Sequence, residues 1–379
     1  MDFSLSKQDQ LFLQMIREFA EKEVKPLAAE VDESERFPME TVQKMAKLGI
    51  MGIPFPVELG GAGGSNILYT MAVEELSRVC ATTGVIVSAH TSLCCAPIME
   101  HGTPEQKAKY LPKLASGEWI GAFGLTEPNA GTDASAQQTF AVKEGDHYVL
   151  NGSKIFITNA GYAHVYIIMA MTDKSKGTKG ISAFIVEKDF PGFSIGKKEK
   201  KMGIRGSATC ELIMENCIVP AENLLGQEGK GFGIAMKTLD GGRIGIASQA
   251  LGIAQGAMDE TVKYVKERKQ FGKAIGQFQN TQFQLADLQT KIEAARLLVR
   301  QAAYKKDLKV PYSADAAMAK LFAAETAMEV TTKAVQFHGG YGYTREYPVE
   351  RMMRDAKITE IYEGTSEVQR MVIAANLLK

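Results

Sequence analysis

The spacing of apolar residues changes twice along the chain, and this limits the folds that it can adopt. Over residues 1 to about 118 apolar side chains recur at helical spacing, as at Phe12, Ile16 and Phe19. Residues 119–225 instead carry short apolar runs between turn residues, which is typical of β-strands. From residue 226 to the end the helical spacing returns. The sequence therefore predicts an α+β protein with three domains: helical (1–118), β (119–225) and helical (226–379).

Local patterns add detail to this division. Pro26, in "EKEVKP", is expected to end the first helical segment. In "HYVLNGSKIFIT" the pair Asn151-Gly152 lies between two apolar runs and predicts the turn of a β-hairpin. An apolar stripe in the last third predicts a helix that packs in a bundle, and its residues are Leu285, Leu288, Ile292, Ala295, Val299 and Ala302.

Composition excludes several kinds of partner. The chain has 44 basic and 44 acidic residues, which argues against binding to nucleic acid or an anionic membrane through bulk charge. We find no apolar run of the ~18 residues that a membrane helix needs. The N-terminal "MDFSLSKQDQ" has no targeting pattern, and the five cysteines lack C-x-x-C spacing. These features predict a cytoplasmic protein with reduced thiols.

Common catalytic motifs are missing from the sequence. It contains no G-x-G-x-x-G, no G-x-x-x-x-G-K-[ST] and no H-E-x-x-H, and its five histidines never fall at i, i+4. "GTSEV" departs from the G-x-S-x-G nucleophile motif at Val368. We therefore expect no metal site, and neither a hydrolase nor a dinucleotide-binding dehydrogenase of the usual type is favoured.

Three features could carry chemistry, and each has an ordinary structural alternative. The loop "FGLTEPNAGTDAS" (123–135) could approach a flat or phosphorylated ligand, or be a surface turn. Arg268 could bind a phosphate, or be a surface charge. Glu363 stands between Tyr362 and Gly364, before a predicted Ser366–Gln369 capping box, and could be a desolvated base or a solvated, capping acid.

Taken together, five motifs in register resemble the acyl-CoA dehydrogenase family of flavoproteins over essentially the whole chain. They are "LTEPNAGTD", "NGSKIFITN", "ERKQFGKAIGQFQ", "QFHGGYGYTREYPVERMMRDAKI" and "IYEGTSEVQR". The nearest resemblance is to bacterial short-chain (butyryl-CoA) members. The resemblance implies an N-terminal helical domain, a middle β-barrel-like domain and a C-terminal four-helix bundle, assembled as a homotetramer (a dimer of dimers).

The resemblance also implies roles for particular residues. Glu363 would be the base that removes the α-proton of an acyl-CoA, and a flavin would accept the β-hydride. Substrate contacts would come from Thr132, Asp240, Arg243, Tyr362 and Gly364. FAD contacts would come from Phe123, Leu125, Thr126, Gly131, Thr132, Phe156, Ile157, Thr158, Thr365 and Glu367, and, across a subunit boundary, from Arg268, Phe271, Gln279, Gln336, Gly339 and Gly340.

Two departures from the family matter. Many members have Trp where this chain has Phe156, so the ring beside the flavin is smaller. Some relatives carry the base at the position of Gly242, and this chain has no side chain there.

The expected function is therefore dehydrogenation of butyryl-CoA, with electrons passed to an electron-transfer flavoprotein. The alternatives are an acyl-CoA oxidase, a dehydrogenase for another chain length, and a non-catalytic acyl-CoA-binding protein on the same fold.

Overall fold

A computed structural model describes residues 5–379, so the first four residues of the N-terminal segment "MDFSLSKQDQ" lie outside the described part. The first third of the chain is helical, as predicted. Its α-helices are α1 (Lys7–Phe19), α2 (Ala28–Ser34), α3 (Met39–Lys47), α4 (Asn66–Val79), α5 (Ala81–Ser88), α6 (Ala96–His101) and α7 (Pro104–Ala115).

Two irregular helical segments join some of these helices. The predicted stop at Pro26 is wrong, because a π-helical segment, Ala20–Val24, and a 3-10 turn, Lys25–Leu27, carry the chain from α1 into α2. Proline stands at the start of that turn, where its missing N–H breaks no helical bond. The second π-helical segment, Ala89–Cys95, joins α5 to α6.

The expectation that no apolar run is long enough for a membrane helix is wrong for the run from α5 to α6. Ala81–His101 is long and apolar enough to span a membrane by length and composition, but 94% of its apolar window is buried inside the protein. A helix surrounded by protein is apolar for the same reason as a helix surrounded by lipid, because neither helix is exposed to water. This run is therefore a core helix.

The middle of the chain forms one mixed sheet. Its strands are β1 (Gly121–Gly124), β2 (Phe140–Glu144), β3 (His147–Thr158), β4 (Val165–Met171), β5 (Ile181–Glu187), β6 (Phe193–Lys198), β7 (Thr209–Pro220) and β8 (Leu224–Leu225). Their order is β6-β7-β3-β2-β4-β5-β8, with β1 parallel to β4. Strands β4 and β5 are buried along almost their whole length, so this part of the sheet is covered on both faces.

The predicted hairpin at Asn151-Gly152 is wrong. Both residues lie inside the single strand β3, where the pairing with β7 shifts register and forms a bulge. Gly152 has φ +141°, and a methyl group there would lie 2.7 Å from the Cα atom of Thr139, so glycine serves close backbone approach rather than a turn. The true β2–β3 turn lies at Gly145, with φ +61°.

The last third is helical again. It comprises the two-stranded pair β9 (Lys269–Gln270) and β10 (Lys273–Ala274) and the helices α8 (Gly231–Glu267), α9 (Gln279–Asp307), α10 (Ser313–His338), α11 (Val349–Lys357) and α12 (Ser366–Leu377). Most of the predicted stripe of α9 is buried, and Leu285 packs against the same core. Val85 of α5 shares this core with Ile244 and Ala247 of α8. The N-terminal helices and the C-terminal bundle are thus packed together along α8.

Candidate active site

A cavity of about 190 Å³ lies where the three parts of the chain meet. The N-terminal helices contribute Ala89 and Leu93, and α8 contributes Met236 and Leu239. The cavity brings together many of the residues predicted from sequence, namely Phe123, Leu125, Thr126, Gly131, Thr132, Phe156, Ile157, Thr158, Arg243, Tyr362, Glu363 and Gly364. Residues far apart in sequence therefore form one site.

Glu363 reaches the cavity from a tight turn before α12. Glu363 has φ +53° and Gly364 has φ +92°, so two successive residues adopt the left-handed conformation. The side-chain amide of Gln369 holds the turn by donating to the carbonyls of Glu363, at 3.3 Å, and Gly364, at 2.8 Å. The predicted Ser366 cap is wrong by one residue, because the hydroxyl of Thr365 accepts the hydrogen bond from the N–H of Val368.

The carboxylate of Glu363 is desolvated. Its Oε2 atom is buried and, among the described residues, has no hydrogen-bond partner. Burial raises the pKa of Glu363 to about 8, against the opposing influence of the cations Lys320 and Arg243. Gly242 makes room for this oxygen, because a methyl group at that position would lie 2.0 Å from it. Glu363 is therefore neither a solvated acid nor a helix cap.

Arg243 links this cavity to a second one. Its guanidinium Nη1 donates to Oδ1 of Asp240 at 2.6 Å, and Ser313 donates to the same oxygen at 2.9 Å. Asp240 itself lines a separate cavity of about 610 Å³ behind α8. Asp240 is thus a predicted substrate residue that does not line the Glu363 cavity and is connected to it through its hydrogen bond with Arg243.

The wall contributed by the sheet suits a flat ring with polar edges. Phe156 stands at a bulge of β3 with φ +59°, which leaves 60% of this aromatic residue exposed. In residues 5–379 the hydroxyls of Thr126, Thr132 and Thr158 make no hydrogen bond to protein, so they are free for a ligand. A methyl group added at Gly131 would meet nothing within 4 Å, so the loop leaves open space. These residues fit an isoalloxazine ring.

A buried ion pair holds the loop that carries Thr126 and Thr132. Lys154 of β3 is fully buried, and its Nζ donates to Oε1 of Glu127 at 2.6 Å, to Gln137 and to the carbonyl of Leu125. Glu127 in turn accepts the N–H groups of Gln138 and Thr139. Because an unpaired buried charge is costly, the loop is fixed in the one position that satisfies both partners.

The remaining predicted cofactor residues lie elsewhere. Arg268, Gly339 and Gly340 line another cavity at the far end of α8 and α10, and the Arg268 guanidinium stacks 5.7 Å from the Tyr341 ring centre. Phe271, Gln279 and Gln336 are exposed near these helix ends, and Phe271 is 94% exposed. Thr365 and Glu367 flank the Glu363 turn without lining the cavity. Within a single chain, the cofactor residues at the far end of α8 and α10 therefore do not meet those that line the Glu363 cavity.

Several residues of the site were missed from sequence. They are Leu93, Lys154, Lys320 and Gln369, which support or line the cavity. A signal existed for Lys320, because it falls on the apolar stripe of α10 in step with Ala316, Ala323 and Ala327. A lysine at a core position is uncommon and indicates a specific partner. Gln369 was assigned to a cap, and Lys154 lies in the predicted strand segment "HYVLNGSKIFIT", where a single lysine gives no sign of burial.

A glutamate with a buried Oε2 atom that faces an aromatic, hydroxyl-lined cleft fits a flavin-dependent oxidoreductase. The chain belongs to the acyl-CoA dehydrogenase family. The family's N-terminal domain matches residues 6–118, its middle domain 122–217 and its C-terminal domain 229–378. The predicted family, its three-part fold and its enzymatic class are thereby confirmed, as is FAD as the cofactor of this class.

Individual relatives are similar over their full length. The short-chain specific acyl-CoA dehydrogenase of Clostridium acetobutylicum is 67% identical, with 100% of each chain covered. The butyryl-CoA dehydrogenase structure from Megasphaera elsdenii is 55% identical, with a TM-score of 0.98 and 100% of each chain covered. A chain from a structure of the electron transferring flavoprotein of Acidaminococcus fermentans is 58% identical, with a TM-score of 0.99 and 100% of each chain covered.

Proposed function

We propose that this chain dehydrogenates short-chain acyl-CoA thioesters such as butyryl-CoA, with Glu363 as the base and an electron-transfer flavoprotein as the electron acceptor. One observation carries the proposal: the buried Oε2 of Glu363 has no partner within the described residues and faces a cleft that suits a flavin. The similarity to a short-chain specific enzyme and to a chain from an electron-transferring flavoprotein structure supports the substrate and acceptor.

Glu363 is suited to remove a proton from carbon. An ordinary glutamate has a pKa near ~4.3 and is too weak a base, whereas burial raises the pKa of Glu363 to about 8. The base takes the α-proton of the acyl group and becomes a neutral carboxylic acid, which a desolvated site favours. FAD, when bound, supplies the acceptor for the hydride that leaves the β-carbon.

The turn around Glu363 also offers a donor for the substrate carbonyl. In the part of the chain that the structure describes, the Glu363 N–H makes no hydrogen bond to protein. A free N–H beside the base can bind the thioester oxygen as negative charge develops on it. Together with the free hydroxyls of Thr126, Thr132 and Thr158 this gives the site polar groups for both thioester and flavin.

Leu93 supports a preference for short acyl chains. Its Cδ2 atom lies beside Gly242, next to the Glu363 carboxylate, so it lines the cavity close to this group. Its neighbours Ser92 and Ala96 line the larger cavity of about 610 Å³. The Leu93 side chain is thus part of the wall between the two cavities and limits how far an acyl chain extends.

Shortening this side chain is therefore expected to lengthen the preferred substrate. In Leu93→Ala, kcat/KM for hexanoyl-CoA and octanoyl-CoA relative to butyryl-CoA should rise roughly 10-fold or more, in line with the value of one or two methylenes in an apolar pocket. The measurement is a chain-length series from C4 to C16 with a dye acceptor. Leu288→Ala, in the core of α9, is the matched control, and it should lower Tm without altering the chain-length profile.

We further propose that one subunit supplies the flavin-ring cleft while Arg268 of another holds the pyrophosphate, in a homotetramer. The Arg268 side chain is exposed and, within residues 5–379, forms no ion pair, so its charge is available. The Arg268→Ala variant should bind FAD roughly 10- to 100-fold more weakly, because a charged hydrogen bond is worth about 1.5–3 kcal/mol. Flavin absorbance per protein after gel filtration measures this loss, and Arg370→Ala, which removes an exposed pair with Glu325, serves as the control.

The electron acceptor separates this proposal from an oxidase on the same fold. Reduction of a purified electron-transfer flavoprotein by butyryl-CoA, without rapid peroxide formation, is the expected result. Rapid peroxide production in air would instead indicate an acyl-CoA oxidase. A colourless protein that cannot take up FAD would favour the non-catalytic acyl-CoA-binding alternative. Cytoplasmic localisation in a bacterium stays a prediction.

A further inference from the structure

Lys320 lies in the core of α10 directly beneath the Glu363 turn. Lys320 is fully buried, and its Nζ atom donates to the carbonyl of Gly364 at 2.7 Å. An ammonium group has three donors, and this carbonyl is its one hydrogen-bond partner among the described residues. Burying a cation with so little compensation is unfavourable, so its presence calls for a specific reason.

The charges around Glu363 are few and come from three helices. Lys320 of α10 and Arg243 of α8 favour the carboxylate, while the phenols of Tyr69 in α4 and Tyr362 beside it are neutral at physiological pH. No ion pair within 4.0 Å joins Lys320 to Glu363 in residues 5–379, so the attraction acts through space. Arg243 is already paired with Asp240, which leaves Lys320 as the cation without a carboxylate of its own.

We propose that Lys320 is a positioning residue for the reaction, which anchors the Glu363–Gly364 turn through the Gly364 carbonyl and supplies the positive charge that stabilises the Glu363 carboxylate. The inference rests on the proposed role of Glu363 as base. Glu360 and Glu367 are the other acidic groups that face Lys320, and both are on the same segment as Glu363. Burial lowers the pKa of Lys320, whereas the nearby Glu363 raises it, so ionisation of Glu363 favours the ammonium form of Lys320.

Two variants separate the anchor from the charge. Lys320→Gln keeps an amide donor for the Gly364 carbonyl but removes the charge, and Lys320→Met removes both. Since an opposite charge nearby shifts a carboxyl pKa by about 1–3 units, both variants should move the rising limb of the kcat/KM–pH profile upward by about one pH unit or more. At pH 7 this corresponds to roughly a 10-fold loss. If the hydrogen bond to the Gly364 carbonyl also contributes, kcat/KM at the high-pH plateau should be lower in Lys320→Met but not in Lys320→Gln.

A structural role alone gives a different result. Loss of packing or of the anchor lowers kcat/KM by the same factor at every pH and leaves the midpoint of the rising limb unchanged. Lys305→Met is the matched control, because it removes a lysine of α9 that pairs with Asp315 of α10 at 2.7 Å. It should lower Tm without moving the midpoint.

The charge can also be tested without turnover. In the substrate-free holoenzyme, the infrared band of the protonated Glu363 carboxyl, assigned by its absence in Glu363→Gln, should titrate about one unit higher in Lys320→Gln than in the wild type. An unchanged titration midpoint in Lys320→Gln would overturn the inference. Wild-type enzyme without butyryl-CoA dehydrogenase activity would instead refute the proposed function, and the infrared titration would still decide the effect of Lys320 on Glu363.

Discussion

Replacing Glu363 with glutamine should abolish turnover while leaving a yellow, FAD-bound protein. The substitution keeps the shape of the side chain but removes the carboxylate, which is the one acidic group among the described residues that line the cavity. A positioned general base contributes about 10²–10⁴-fold, so kcat with butyryl-CoA should fall by at least that factor. The measurement is steady-state turnover with a dye acceptor, alongside the visible flavin spectrum.

The control for this variant is a carboxylate that lies outside the cavity. Glu325 of α10 is exposed and pairs with Arg370, so Glu325→Gln should retain wild-type turnover. Near wild-type dehydrogenation of butyryl-CoA by Glu363→Gln would show that another group removes the proton. Loss of FAD from Glu363→Gln would instead point to a structural role for the carboxylate.

The order of helical and β regions was predictable because burial repeats with a period that the sequence displays. The stripe of α9 needs only its spacing of three and four to be recognised as a core face. Asn151-Gly152 failed as a hairpin because the same pair also suits a bulge. The choice depends on Thr139 of the neighbouring strand, which a local pattern cannot include.

The residues of the site that lie in family motifs were predictable from the sequence. Glu363 and the threonine-bearing loop were found through resemblance to a family, whereas spacing alone left Glu363 undecided. Its desolvation depends on α8, α10 and the N-terminal helices, which are brought together only by tertiary packing. Lys320 was not predicted, because an isolated lysine is usually on a solvated face.

The glycine at position 242 is as important to the proposed chemistry as the acid that it accommodates. A methyl group there would lie 2.0 Å from Oε2 of Glu363 and 2.7 Å from Cδ2 of Leu93, and both atoms are the far ends of flexible side chains. Gly242→Ala should therefore fold, because those side chains can move and alanine favours the helix by roughly 1 kcal/mol. The base, however, must leave its position.

We expect Gly242→Ala to lose about 10²-fold in kcat/KM for butyryl-CoA, because a misplacement of about 1 Å between base and substrate costs that much. Steady-state kinetics and a thermal melt of the same preparation test both halves of this expectation. Gly233→Ala is the matched control in α8, since a methyl group there would meet nothing within 4 Å, and it should retain activity. A Gly242→Ala enzyme with wild-type kcat/KM would mean that the productive position of the Glu363 carboxylate is not the one beside α8.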